Sequence, residues 1–435
     1  MRLYNTLTRN VDELKPLATG KVKLYTCGLT VYSQPHIGNW LGYIYWDVLV
    51  RTLRAEGFEV VRTQNITDVG HLTSDDDNGE DKMEKGARRE GLTAWDVAQK
   101  YIDIAAHESD MLGLTSPDHL VRATDTIEAQ IAFAKILDDK GFLYRIKDDG
   151  MYFDTSKLLE YGRLARLDID GLEAGARVPV EGKHNITDFA VWKFSHDGQN
   201  RDMEWESPWG VGFPGWHLEC SVIARETLGN QIDIHTGGID HIPVHHINEI
   251  AQTEAVTGKP FSQFWVHNNH LKADGQKMAK SVGNIYTLQD ILDRGYGMDA
   301  FRLFALGKHY RTEGNFTWEN LEAAQNRLNN WQEAADLFHQ IDGLRENCKD
   351  EDGAFKNRLV TILADDLDTV GALQLIDQMF DAVKESQVSD ECFGHIQNVI
   401  ADVLGIDLRK LDISDDLKSI IGAREAARAD KDWAR

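Results

Sequence analysis

The stretch PVHHINEI, residues 243 to 250, sets His245 and Glu249 four apart, so that on a helix an imidazole and a carboxylate share one face. Two cysteines could complete the set. Cys27 ends a short β-prone run, and Cys220 lies in GWHLECSVIA, a segment of helical character. Two thiolates, an imidazole and a carboxylate suit tetrahedral zinc. The residues alone leave a plainer reading open. Free cysteine is among the most buried residue types and packs as a small hydrophobe, and HxxxE occurs on many helices. His246, next to the pair, has no role assigned to it.

Two further stretches carry groups suited to a nucleotide. PHIGNW, residues 35 to 40, falls where a first strand turns into a helix, and such a turn aims unpaired N–H groups and the positive helix end at an anion. Gly38 lets a phosphate or base approach the backbone, while His36 and Asn39 can donate to phosphate oxygens. KMAKS, residues 277 to 281, sits in the polar loop KADGQKMAKSVGN. There Lys277 and Lys280 bring two ammonium groups, which could neutralise charge growing on a departing pyrophosphate. Each stretch alone is weak, since a His before Gly and two loop lysines are ordinary; together, beside sheet strands, they say more. A third stretch is a decoy. SDDDNGEDKMEK places Asp76, Asn78 and Gly79 as a calcium loop would, but Ser74 takes the first ligand position and Lys85 the last, where a bidentate Glu is required.

These groups need a scaffold. A β-prone run at 22 to 25, a glycine-bearing loop, a helix in which Ile44, Val48, Leu49 and Leu53 recur, a stop at Gly57 and a strand FEVVRT form a β-loop-α-β unit. It reads as the start of an α/β fold with a doubly wound, parallel, Rossmann-like catalytic sheet. Helices are expected at 93 to 112 and 124 to 140, and Asp149-Gly150 between alternating apolar residues signals a hairpin. Sheet character returns at QIDIHTGG and FSQFWVHN, and beyond Thr317 the pattern is amphipathic helix. The expected organisation is a first half of the sheet domain (1–117), a mixed α/β connective insertion (118–210), a second half with the KMAKS loop (211–296), a short segment (297–320) and a C-terminal helical bundle (321–435).

Composition narrows the function classes. A chain of 435 residues with 42% hydrophobic content exceeds one core and folds as several units. No secretory leader or membrane span is legible, so a cytoplasmic chain is expected and the sequons at Asn65 and Asn185 are set aside. Cys27, Cys220, Cys348 and Cys392 are too scattered for a disulfide framework. A formal charge of −24 excludes indiscriminate polyanion binding. RNA contact must then be local, with Lys308 and the HYR after it, or Arg424, Arg428, Lys431 and Arg435, as candidates; from charge alone a solvated helix face is the preferred reading of each.

HIGN and KMAKS resemble the HIGH and KMSKS signatures of the class I aminoacyl-tRNA synthetases, with Asn39 and Ala279 as the single changes, from which retuned activation is expected. CGLTVY, NITD, DFAVWK, GWHLECS and GGIDHIPVHHINEIAQTEA resemble, over the whole chain, the cysteinyl-tRNA synthetase family. The resemblance implies one zinc ion per chain on Cys27, Cys220, His245 and Glu249, taking the thiolate of L-cysteine. A serine hydroxyl ligates zinc poorly at neutral pH, so selection by coordination would make an editing domain unnecessary. It implies an amino-acid and adenylate pocket of Thr67, Trp216, His235 and Asp240. It also implies ATP contacts, with Mg2+, at Gly28, Thr30, Gly38, Gly238, Lys280 and Ser281, and catalytic roles for His36, Asn39, Lys277 and Lys280. The implied partners are ATP, cysteine and tRNA(Cys), with 1–117 and 211–296 as the catalytic halves, 297–320 as a stem-contact segment and the bundle at 321–435 binding tRNA, and a monomer is expected. Two departures stand out: GHLTSDDDNGEDKMEKGA at 70 to 87 reads as an insertion, and the chain stops at KDWAR, so the small terminal anticodon domain is expected to be absent. That shortness keeps one alternative, a cysteine ligase acting on an amino-sugar amine, as in mycothiol synthesis; a non-catalytic zinc-containing RNA-binding protein that retains the fold is a second alternative.

Overall fold

The computed structural model describes residues 1–69, 81–167, 182–195, 201–279, 282–336, 353–384, 393–410 and 414–429. The chain opens with a hairpin of β1 (Arg2–Asn5) and β2 (Asn10–Glu13), enters the main sheet with β3 (Lys21–Thr26), crosses through α1 (Ile37–Ala55) and returns as β4 (Glu59–Ile66). Next come α2 (Lys82–Glu90), α3 (Ala94–Met111), β5 (His119–Arg122) and α4 (Ile127–Asp139). An antiparallel sheet of β6 (Leu143–Ile146), β7 (Gly150–Phe153), β8 (Phe189–Phe194) and β9 (Gly212–Pro214) follows. The chain rejoins the main sheet through α5 (Trp216–Leu228), β10 (Ile232–Gly238), a π turn at Ile242–His246, α6 (Ile247–Thr257) and β11 (Ser262–Asn268). A second hairpin, β12 (Leu271–Ala273) and β13 (Gln276–Lys277), precedes α7 (Leu288–Asp293), α8 (Met298–Leu306) and β14 (Gly314–Phe316), which pairs parallel with β12. The remaining described elements are helices: α9 (Trp318–Asp336), α10 (Ala354–Leu363), α11 (Thr369–Lys384), α12 (Phe393–Leu404) and α13 (Asp415–Ala429).

The main sheet runs β11-β10-β3-β4-β5, with every pair parallel. The chain builds outward from β3 to β5 and then reverses to add β10 and β11 on the other side. The crevice at the carboxyl ends of β3 and β10 is therefore the topological switch point, where such sheets bind ligands. Strands buried on both faces account for the near-continuous burial of β10, and in β3 Leu24 joins one apolar cluster while Tyr25 joins the other. β5 pairs with β4, setting His119 opposite Thr63, so the sheet continues past the boundary expected at 118.

The helical end of the chain is tied to α1 by buried charge. Asp47 and Arg302 are both fully buried and paired, Arg51 Nε donates to Asp47 at 2.7 Å, and Arg302 donates to the carbonyls of Leu404 (2.6 Å) and Leu112 (3.1 Å). Burial alone would raise the Asp47 carboxyl, but the two guanidiniums and the Thr115 N–H bring it down to about 2. Asp47→Ala leaves Arg302 buried without its partner and is expected to cost about 3–5 kcal/mol in urea unfolding. Because the folded value lies below the unfolded one, this contribution is present above roughly pH 4 and lost as pH falls toward 2. The wild-type and mutant midpoints should therefore converge in acid.

Candidate metal centre and nucleotide site

Four residues from separate elements meet at the switch point. Cys27 follows β3 directly, and its N–H donates to the Thr236 carbonyl of β10 (3.2 Å). Cys220 lies in the second turn of α5, His245 in the π turn and Glu249 in the first turn of α6. One ligating atom from each lies within 4.8 Å of the other three. His245 Nε2 stands 3.1 Å from Glu249 Oε1, and that oxygen, fully buried, has no hydrogen-bond partner among the described residues. A buried, unsatisfied carboxylate oxygen is costly unless something positive takes it.

The protons fit the same conclusion. Burial would raise the Cys27 thiol, but a hydrogen bond with Cys220 and the imidazoles of His246, His241 and His245 hold it well below its ordinary value. Burial and the Cys27 sulfur push Cys220 well above. Burial would lower His245, but Glu249 outweighs it and lifts the imidazole to about 10. Without a metal, Cys220 and His245 keep protons that a divalent cation would replace. A second set, Cys27, His235, His246 and Glu249, also falls within 4.8 Å. It offers one thiolate where the first offers two. His246 Nδ1 meets His267 Nε2 at 2.7 Å, while His235 Nε2 holds Glu249 Oε2 at 2.9 Å. The first set fits zinc better.

Around the four ligands stands a shell that sequence reading largely missed. His217 Nδ1 contacts His245 Nδ1 at 3.0 Å, leaving His245 Nε2 to face Glu249. Its position three residues before Cys220 on one helix is a signal that could have found it. His246 lies 3.4 Å from Cys27 Sγ and continues through His267 to Thr6 Oγ1 (2.7 Å) in the loop after β1. Trp216, at the start of α5, sets its ring 4.3 Å from that of His245. Thr67 donates to Glu219, whose carboxyl burial lifts to about 8. His235, expected in the amino-acid pocket, is fully buried, stacked on Trp265 and bonded to Glu249. Asp240 stands just after β10 with its side chain 60% exposed.

The two signature stretches meet. His36 is the N-cap of α1: its Nδ1 accepts from Gly38 N (3.1 Å), and Asn39 Oδ1 accepts from His36 N (3.0 Å). Asn39 thus closes a capping box, a use of its oxygen not foreseen from the sequence. A Cβ on Gly38 would overlap the end of Met278, so the HIGN turn and the KMAKS loop touch. That loop begins as a hairpin, with Asp274 and Gly275 at φ 52° and 74°, and Asn284 pins it by accepting from Ala279 N (2.9 Å) and donating to Lys277 O (3.2 Å). Lys277 is exposed on β13; Lys280, Ser281 and the acidic stretch at 70–80 lie outside the described residues. Thr30 bridges Thr67, and Gly238 ends β10, so both border the crevice. Away from it, Arg311 of the HYR stretch pairs with Asp366 at 2.5 Å.

The profile of the family described as tRNA synthetases class I (C) catalytic domain matches residues 13–326. The chain is 44% identical to cysteine–tRNA ligase 1 of Burkholderia lata, covering 100% of this chain and 91% of that protein. It is 40% identical to cysteine–tRNA ligase of Novosphingobium aromaticivorans, covering 100% and 92%. Among solved structures it superimposes on Mycobacterium tuberculosis methionyl-tRNA synthetase in complex with methionyl-adenylate with a TM-score of 0.66 at 16% identity, over 89% of this chain and 92% of that one. At that identity the match speaks for the fold alone. No described helix is long and apolar enough to cross a membrane.

Proposed function

Because the chain belongs to the cysteinyl-tRNA synthetase family of class I, we propose that it activates L-cysteine with ATP and passes the aminoacyl group to the 3′ end of tRNA(Cys). The observation that carries the finer reading is the convergence of Cys27, Cys220, His245 and Glu249 within 4.8 Å, at the switch point that α1 and the KMAKS hairpin also border. Zinc held there would supply a thiolate-selective Lewis acid, discriminating cysteine from serine by coordination.

The chain's own residues do the rest. Trp216 walls the side-chain slot against His245, and Thr67 and Asp240 hold the amino and carboxyl ends, Asp240 by facing the ammonium. Gly28, Thr30, Gly38 and Gly238 let adenosine and phosphates approach the backbone. The amino-acid carboxylate attacks the α-phosphorus of Mg2+-bound ATP, and pyrophosphate leaves past His36, Asn39, Lys277, Lys280 and Ser281. No side chain acts as nucleophile; positioning and charge stabilisation lower the barrier. The helical segments after β14 carry the tRNA.

The test is ATP–pyrophosphate exchange on zinc-replete protein with cysteine and with serine, followed by charging of a tRNA(Cys) transcript. Exchange with cysteine, at least about 10³-fold weaker exchange with serine, and charging are expected. Exchange without charging would instead favour an amine acceptor, and no exchange by metal-loaded protein would refute the reading.

A further inference from the structure

Between the two cysteines runs a chain of hydrogen bonds that no step above uses. Gly28 N–H donates to Asn65 Oδ1 at 2.7 Å, Asn65 Nδ2 donates to Thr67 Oγ1 at 3.0 Å, and the Thr67 hydroxyl donates to Glu219 Oε1. Every donor points the same way, so each bond polarises the next and the series ends on a carboxyl oxygen. Gly28 directly follows Cys27, and Glu219 directly precedes Cys220. The chain therefore spans from the β3 loop to α5. Asn65, Thr67 and Glu219 are each no more than 2% exposed. Thr67 is further fixed by its backbone, its N–H donating to Leu29 O and its carbonyl accepting from Val31 N, both at 3.0 Å.

We infer that Glu219 is a positioning residue of the metal centre: as terminal acceptor of the Gly28–Asn65–Thr67 chain, it sets the separation of the Cys27 and Cys220 sulfurs and locks Thr67 beside them. Three observations support this. Gly28 sits so close to β4 that a Cβ there would overlap the Asn65 carbonyl, so the loop cannot take up slack by drifting toward that strand. Cys220 Sγ lies 3.9 Å from Glu219 Oε1, which places the carboxyl against the ligand it positions. A buried carboxyl whose Oε2 has no hydrogen-bond partner among the described residues costs stability that an apolar side chain would not. Filling space does not account for it.

The inference rests on the proposed metal centre, and the experiment separates the two. Cobalt-loaded wild type is expected to show thiolate-to-cobalt charge transfer in the near ultraviolet; if it does not, the metal centre itself is refuted. Given that band, Glu219→Ala and Thr67→Val are expected to weaken cobalt affinity by about 10–100-fold and to shift the d–d bands, both measured without amino acid. Glu219→Gln keeps a carbonyl oxygen for Thr67 and is expected to restore the wild-type spectrum and affinity. In exchange assays Glu219→Ala should raise the KM for cysteine while leaving that for ATP near its wild-type value. A folded Glu219→Ala protein with wild-type spectrum and affinity would overturn the inference, as would a Gln variant as impaired as Ala. If Glu219→Ala fails to fold, Thr67→Val decides by the same spectrum and affinity.

Discussion

Replacing Cys220 by alanine is expected to abolish cysteine activation: zinc affinity falls by more than about 10²-fold, and cysteine-dependent pyrophosphate exchange by about 10³-fold or more. The size follows from the surroundings. Cys220 is 1% exposed and packed inside α5 beside the other ligands, so its loss leaves the metal one thiolate short in a buried site. His245 and Glu249 would be left as an ion pair 3.1 Å apart, which competes with a metal now held by three groups. Metal content by mass spectrometry and competition with a chromophoric chelator measure the first effect. ATP affinity, set at the HIGN turn, should change little.

His36→Ala is expected to slow exchange by about 10²–10³-fold, the loss typical of removing one preorganised donor from a developing anion, with the KM for cysteine nearly unchanged. His36 has two tasks that must be separated. It caps α1 through Nδ1, which is worth about 1 kcal/mol, and in the proposed mechanism its ring also meets the phosphates. His36→Asn supplies a capping oxygen. It should restore the melting temperature lost in the alanine variant while exchange remains depressed. Full recovery of exchange by asparagine would mean that capping was all His36 contributed.

What the sequence disclosed and what it hid divide along physical lines. Helix-to-strand punctuation at Gly57 and the apolar recurrence of Ile44, Val48 and Leu53 are local signals, and they make the β3–α1–β4 unit legible. The four candidate ligands were legible as residue types and, for His245 and Glu249, as spacing. Other features depend on partners far away in the chain. Thr6 meets His267 across 261 positions, and Glu219 meets Thr67 across 152. No periodicity reports such a pair. The π turn that carries His245 was read as ordinary helix, because an i→i+5 turn has no residue signature of its own. Asn39 was read for its donor, and the structure uses its acceptor to close the helix cap. The Asp274-Gly275 pair at the head of the KMAKS loop is a hairpin signal, but strands this short leave little alternation from which to read the hairpin.

The central claim is that Cys27, Cys220, His245 and Glu249 hold a zinc ion that receives the substrate thiolate. X-ray absorption at the zinc edge, recorded without and with saturating cysteine, tests it most directly. Two sulfurs near about 2.3 Å and two nitrogen or oxygen ligands near about 2.0–2.1 Å are expected without cysteine, with a third sulfur at the same distance once cysteine is added and none when serine replaces it. A sulfur count that stays at two with cysteine bound would contradict the account.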